Sequence, residues 1–224
     1  MREWPESTLL GGLNEAERSM ILTVGTEVPY RDGKRLITQG SDDDHAYLML
    51  RGMVKVAVRD HNGRSALLGI RLAGDLVGEM GALDGPPRSA DVTASGDILV
   101  RVIRAPDLRE LSRRKPDIAL GITRMIAGRL RWANQRRLDF TARDPRARVA
   151  RILYEVVRAY GSFRRTHWEL GVELTQSEIA SLAATALRTM EKELRRLQDE
   201  GVLVRRYRDI HVVDLDLLKQ IAEV

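Results

Sequence analysis

The sequence predicts an α+β chain in three consecutive parts: an antiparallel β domain over residues 1–115, a long helix over 116–141, and a winged helix-turn-helix domain over 142–224. Three observations carry this division. Between Val28 and Val102, short apolar or alternating runs are cut at roughly regular spacing by turn residues, the pattern of an antiparallel sandwich or barrel. From about Asp117 to Phe140, apolar residues recur at helical spacing. Beyond Asp144-Pro145, two short amphipathic helices are followed by a pair of short strands.

The first element is a short helix over residues 13–22, with Asn14 as its cap and Glu17 three residues later. The turn residues that follow are RDG at 31–33, QGSDDD at 39–44, RG at 51–52, DHNG at 60–63, AGD at 73–75, DGPP at 84–87 and SGD at 95–97. The clearest strand is VKVAVRD, residues 54–60, with Val54, Val56 and Val58 on one face. Asn62-Gly63, both tolerant of positive φ, then predicts a tight hairpin.

The second region begins near Pro106. Its helix carries Ile118, Ile122, Met125, Ile126, Leu130 and Trp132, and spans about 35 Å at 1.5 Å per residue. The steps of four and three through 118, 122, 125 and 129 are those of a parallel dimer seam, although Arg129 and Arg136 weaken a strict coiled coil. The alternative is a helix packed only against its own β domain.

Asp144 caps and Pro145 opens the next helix, which ends near Gly161. Thr175 and Glu178 then form a capping box at the head of a short helix, with Ile179 and Leu182 inward. After a turn at Ala183–Thr185, a second helix places Leu187, Met190, Leu194 and Leu197 on its buried side and Arg188, Lys192 and Arg195 outward. Leu187 lies so early in it that core and groove are both open to it. Alanine at Ala184, where a tight turn often wants glycine, means that the turn avoids positive φ or accepts strain. The strands in residues 202–213 meet near Arg206–Asp209 as a wing. The candidate DNA contacts are Thr175 and Gln176 at the first helix, Arg188 and Lys192 on the second, and Arg205, Arg206 and Arg208 on the wing. The plainer reading of the same residues is a solvated face with local pairs such as Glu191 with Arg195.

Composition narrows the function. Hydrophobic residues make up 43% and charged residues 31%, with no apolar run of membrane-spanning length and no secretory signal at the N-terminus, so a cytoplasmic protein without membrane contact is expected. There is no cysteine, and His45, His61, His167 and His211 are scattered without ligand spacing, so no metal site is expected. Net charge is +5, yet residues 141–224 hold 15 basic and 13 acidic residues, so any DNA surface must come from placement rather than total charge. No nucleophile, base and orienting group come together, which argues against an enzyme.

The stretch GEMGALDGPPRSA, residues 78–90, carries the remaining chemistry. Gly78 precedes a short helix whose first N–H groups favour a phosphate, Arg88 can pair with phosphate oxygens, and Ser89 adds a hydroxyl. Glu79 would repel the phosphate and is better used on a sugar hydroxyl. The competing reading is an Arg88–Glu79 ion pair that ties a loop to the sandwich.

With LITQG at 36–40, LRGMVKV at 50–56, the cassette at 78–90 and LTQSEIASL at 174–182 in this order, the chain resembles the cyclic-AMP receptor protein (Crp/Fnr-type) family over nearly its full length. The resemblance implies a jelly-roll cyclic-nucleotide-binding domain, a dimerisation helix and a winged helix-turn-helix. It implies that Glu79 holds the ribose 2′-hydroxyl, that Arg88 and Ser89 hold the cyclic phosphate, and that Gly78 and Met80 contribute the early cassette backbone. Where family members place adjacent Thr and Ser against adenine across the dimer, this chain has Ala133 and Asn134, of which only Asn134 can hydrogen-bond a base. Where they often show Arg-Glu followed by Arg in the second helix, it has Leu187-Arg188 followed by Lys192.

The expected function is a homodimeric, DNA-binding transcriptional regulator that senses a cyclic nucleotide, with cyclic AMP the first candidate effector and no obligatory cofactor. Its partners are double-stranded DNA and a second copy of the chain; RNA polymerase is a further candidate that no residue singles out. The alternatives are a regulator of the same architecture independent of nucleotide, and a nucleotide-sensing module acting through a protein partner.

Overall fold

The computed structural model describes residues 4–85, 87–206 and 209–224, which form two compact units, Met1–Trp132 and Ala133–Val224. The division falls inside the long helix. Each unit has its own sheet.

The first unit opens with α1 (Leu9–Gly12) and α2 (Glu15–Ile21). Asn14 and Glu17 close the expected capping box on α2, each side chain accepting the other's backbone N–H. Six strands follow: β1 (Thr26–Tyr30), β2 (Arg35–Ile37), β3 (Ala46–Arg59), β4 (Ser65–Leu72), β5 (Leu76–Val77) and β6 (Asp91–Ile103), with α3 (Glu79–Asp84) between the last two. All the pairings are antiparallel, in the order β1-β6-β3-β4, with β2 on β6 and β5 on β3.

Strand periodicity divides the apolar residues between two cores. Ala46, Leu48 and Leu50 of β3 join Leu9, Leu10, Ile103, Leu108 and Ile118 under the helices, whereas Tyr47 and Met49 join Ile37, Val92 and Val100. Two expected turns lie inside long strands. Gly52 and Gly96 have positive φ but sit within β3 and β6, where the register shifts around Arg51; the glycines mark irregularities in continuous strands rather than reversals. A side chain on Gly52 would meet Ile98 at 2.7 Å. The hairpin after β3 forms, but not as a two-residue turn. Gly63 alone takes positive φ, and the Asp60 carboxylate accepts the N–H groups of Asn62 and Arg64 across a three-residue loop closed by the Asp60 N–H to Arg64 carbonyl bond.

After β6 come α4 (Ala105–Arg114), which the sequence did not announce, and α5 (Pro116–Ala142). At 27 residues α5 is about 40 Å long. The stripe read as a dimer seam is already used within the chain: Ile118, Ile122 and Met125 are buried in the helix-side core, and Arg129 turns to buried carboxylates. The large apolar residues that α5 leaves exposed are Leu120, Leu130, Leu138 and Phe140.

The second unit contains α6 (Pro145–Tyr160), β7 (Ser162–Arg164), β8 (His167–Glu169), α7 (Gln176–Leu182), α8 (Leu187–Asp199), β9 (Leu203–Arg206), β10 (Asp209–Val212) and α9 (Leu215–Ile221). Asp144 caps α6 by accepting the Ala147 N–H, with Pro145 at its first position. The strands form one antiparallel sheet in the order β7-β8-β10-β9. Near the end of α5, an ion network surrounds the buried Asp139, which meets Arg136 at 2.7 Å, Arg143 at 3.1 Å and Arg151 of α6 at 3.4 Å. Among the described residues, no helix is long and apolar enough to cross a membrane, and no group of His, Cys, Asp and Glu could hold a metal ion.

Candidate ligand cassette and nucleic-acid interface

The cassette begins where β5 ends. Gly78 has φ +76°, and a Cβ there would stand 2.8 Å from Ile37 Cδ1, 2.9 Å from the His45 carbonyl oxygen and 3.0 Å from Arg88 Nη1, so both backbone and space require glycine. Gly81 faces the same guanidinium, which a Cβ would approach to 2.7 Å. The helix α3 thus wraps closely around Arg88. Glu79, Gly81 and Ala82 turn inward, and Met80 is left 54% exposed.

Arg88 is buried, and its guanidinium has three acceptors. Nε and Nη2 donate to Asp43 Oδ1 at 3.0 and 2.6 Å, Nη1 donates to the Gly78 carbonyl at 2.8 Å, and Nη2 also donates to the His45 carbonyl. Backbone bonds fix the same loop: the Arg88 N–H donates to Ser41 and the Arg88 carbonyl accepts from Gly40. Burial opposes ionisation of Asp43, but the Ser41 hydroxyl and the Arg88 guanidinium outweigh it and hold the carboxyl below its ordinary value. Ser89 is exposed next to this pair.

The expected alternative, an Arg88–Glu79 ion pair, does not form. Glu79 is buried against Arg129, whose Nη1 donates to Oε1 at 2.7 Å while Nη2 reaches Asp75 at 3.3 Å and the Leu76 carbonyl at 2.8 Å. Each cassette charge therefore has a different partner, and both partners were missed as site residues. Asp43 was read only as part of a turn. Arg129 left a usable signal: a cation within the apolar stripe 118–122–125–129 implies a buried counter-charge. Burial pushes the Asp75 carboxyl above its ordinary value, with Arg129 and Arg71 opposing it. Asn134, the expected base contact, is exposed on α5.

In the second unit, the capping box at α7 forms as expected. The Thr175 hydroxyl accepts the Glu178 N–H at 3.2 Å, and Glu178 accepts the Thr175 N–H at 2.8 Å. Thr175 thus orients the helix, with Gln176 half-buried at its first position. On α8, Met190, Leu194 and Leu197 are fully buried, but Leu187, at the first position of the same stripe, is 45% exposed, and Arg188, Lys192 and Arg195 are exposed on the outer face. Leu187 therefore does not join the core. Within α8, Arg196 pairs with Glu193 at 3.4 Å. The turn before α8 accepts strain, since Ala184 has φ +47°. Arg206 is exposed and Arg205 half-buried on β9; Arg208 lies outside the described residues.

A cyclic nucleotide-binding domain matches residues 27–115, and a Crp-like helix-turn-helix domain matches residues 147–221. The chain is 29% identical over 218 residues to a cyclic AMP receptor protein of Thermus thermophilus, covering 96% of this chain and 97% of that protein. It is 28% identical over 185 residues to a CRP-like cAMP-activated global transcriptional regulator of Mycobacterium tuberculosis, covering 79% of this chain and 83% of that one. Its fold matches the c-di-GMP responsive global regulator CLP of Xanthomonas campestris with a TM-score of 0.77 at 18% identity, covering 89% of this chain and 99% of that one. Two domain models in the same order, with relatives that share both, establish that the chain belongs to the Crp/Fnr family of DNA-binding transcriptional regulators, which are not enzymes.

Proposed function

We propose that the chain acts as a homodimer that reads a specific DNA site and whose first unit binds a cyclic nucleotide, cyclic AMP being the first effector to test. The observation that carries the nucleotide reading is that one cassette holds both a buried arginine, Arg88, and a buried carboxylate, Glu79, each with its own partner. A cation serves a phosphate and a carboxylate serves a sugar hydroxyl, and a cyclic nucleotide offers both. Ser89 adds a hydroxyl at the open side. For DNA, the support is an outer face of α8 carrying Arg188, Lys192 and Arg195 beside a wing with Arg206. Asn134 supplies the base contact from the long helix, and the three domain segments 1–115, 116–141 and 142–224 divide the work of sensing, pairing and reading.

Calorimetry with cyclic AMP, cyclic GMP and cyclic di-GMP, followed by DNA titration with and without the nucleotide that binds, tests this function. Binding of one nucleotide with a large change in DNA affinity supports it. A second reading, a regulator independent of nucleotide, is favoured by Ala133 at the expected base-facing position and by the engagement of Arg88 with Asp43. Equal DNA curves with and without ligand would select that reading. Replacing Arg206 with Ala should weaken all DNA sequences alike and lower the salt slope by about 1.

A further inference from the structure

We propose that Asp43 is a specificity-determining residue of the cassette, an internal carboxylate that holds the place of a ligand's phosphate on Arg88. The inference rests on the nucleotide reading above and adds a residue to it. Asp43 Oδ1 receives both Nε and Nη2 of Arg88, and is the only carboxylate partner among the described residues given to that guanidinium. An anionic oxygen bound by two neighbouring N–H groups is what a phosphate oxygen would present to the same edge of the arginine. The remaining guanidinium contacts are to the Gly78 and His45 carbonyls, which fix the arginine without neutralising it.

The carboxylate is supported for this position. Its second oxygen accepts the Ser41 hydroxyl, and Ser41 in turn accepts the Arg88 backbone N–H through its carbonyl, so the 40–44 loop is fastened to the cassette at both ends of the pair. The partners differ in exposure: the Arg88 side chain is 2% exposed and that of Asp43 38%. The cation is thus held inside, whereas the acid sits on the solvent side, where an entering ligand would meet and displace it. A small anion that offers Arg88 only what Asp43 already offers gains little by that exchange. A ligand with further contacts, such as a sugar hydroxyl to Glu79, gains enough to displace it. Asp43 thereby sets a threshold that excludes simple phosphates and lowers affinity for cyclic nucleotides.

Wild type, Asp43→Asn and Asp43→Ala should be titrated by calorimetry with cyclic AMP, cyclic GMP and inorganic phosphate, each protein first shown to unfold cooperatively. Asp43→Asn keeps an acceptor near Arg88 and guards against loss of fold in the alanine variant. The expected result is a gain of about tenfold or more for at least one anion in Asp43→Ala, as for the release of one charge-assisted contact. The gain should be smaller in Asp43→Asn and lost when Arg88→Ala is added. A gain with a cyclic nucleotide supports both the threshold and the nucleotide reading. A gain with inorganic phosphate alone supports the threshold and overturns the nucleotide reading. Cyclic-nucleotide binding of equal strength in wild type and both variants overturns the threshold and leaves the nucleotide reading standing. No gain with any of the three anions overturns the role of Asp43.

Discussion

Arg129 of α5 donates to Glu79 of the cassette at 2.7 Å, so the carboxylate proposed for a sugar hydroxyl is already bonded to the long helix. Asp75 lies on the same guanidinium at 3.3 Å, which makes one arginine the counter-charge for two buried acids. Any ligand that engages Glu79 therefore acts on a residue tied to α5. This is a direct physical route from the cassette to the helix proposed for dimerisation.

Replacing Arg129 with Leu should cost about 3–5 kcal/mol at neutral pH, because two buried carboxylates lose their common partner. The sign of the pH dependence follows from the same loss. Burial already raises the Asp75 carboxyl while Arg129 opposes that shift, so without the cation Asp75 rises further above its unfolded value and the folded state takes up a proton first as pH falls. The deficit relative to wild type should shrink toward acid pH. Urea titrations at neutral and mildly acidic pH measure it, and a deficit that grows with acid would contradict the buried pair.

The Asp43 carboxyl is shifted in the opposite direction to that of Asp75. Its folded-state value is lowered, so its contribution is fully present above its ordinary value of 3.8 and is lost as pH falls through the lowered one. The stability difference between wild type and Asp43→Asn should accordingly be constant near neutrality and vanish in acid. Thermal melts of both proteins as a function of pH give this directly; a difference that persists at full protonation would mean that the charge on Asp43 is not its source.

These two pairs also show where sequence reasoning stops. The capping boxes at Asn14–Glu17 and Thr175–Glu178 and the Asp144-Pro145 helix start were legible because their partners lie within three residues. The partner of Arg88 is 45 residues away, and that of Glu79 is 50 away on another element, so no local pattern names them. Gly52 and Gly96 misled for a related reason: glycine permits positive φ equally in a turn and inside a strand, and only the pairing of β3 with β6 distinguishes the two. On α5 the spacing correctly identified the most buried stripe, but spacing does not say whether the chain's own core or a second copy covers it.

Ala184 offers a test of local strain. Its φ of +47° costs a non-glycine residue about 1–2 kcal/mol, and glycine gives back part of the gain as unfolded-state entropy. Ala184→Gly should stabilise the second unit by a net of about 0.5–1 kcal/mol, and Ala184→Val should destabilise it. Denaturant midpoints of the three proteins rank them; an unstabilised glycine variant would show that the turn is relaxed as it stands.

For dimerisation the decisive comparison is between two leucine-like positions on one helix. Leu130 is 61% exposed and Ile122 is 2% exposed. If the seam runs along the exposed stripe, Leu130→Asp should give a folded monomer near the 25.3 kDa of one chain, whereas wild type sediments at about twice that mass. Ile122→Asp should instead unfold the first unit, because it buries an unpaired charge. Sedimentation velocity combined with circular dichroism separates these outcomes, and a Leu130→Asp dimer would move the seam elsewhere.

Leu187 opens α8 at 45% exposure, with Arg188 and Lys192 also exposed and Ala184 and Ala186 exposed just before it. The N-terminal residues of such a helix meet base edges in the major groove. Leucine has no donor or acceptor to offer there, but it can cover the 5-methyl group of thymine. Sites selected from random DNA should therefore carry a thymine opposite this position in each half-site. Replacing that thymine by deoxyuridine removes one methyl group and should weaken wild-type binding about fourfold per half-site, the equivalent of about 0.8 kcal/mol. In Leu187→Ala the same replacement should cost almost nothing, since the methyl group has already lost its cover. Fluorescence anisotropy on paired thymine and deoxyuridine duplexes provides the double-mutant cycle. Equal losses in the two proteins would assign the methyl contact to another side chain and leave Leu187 without a reading role.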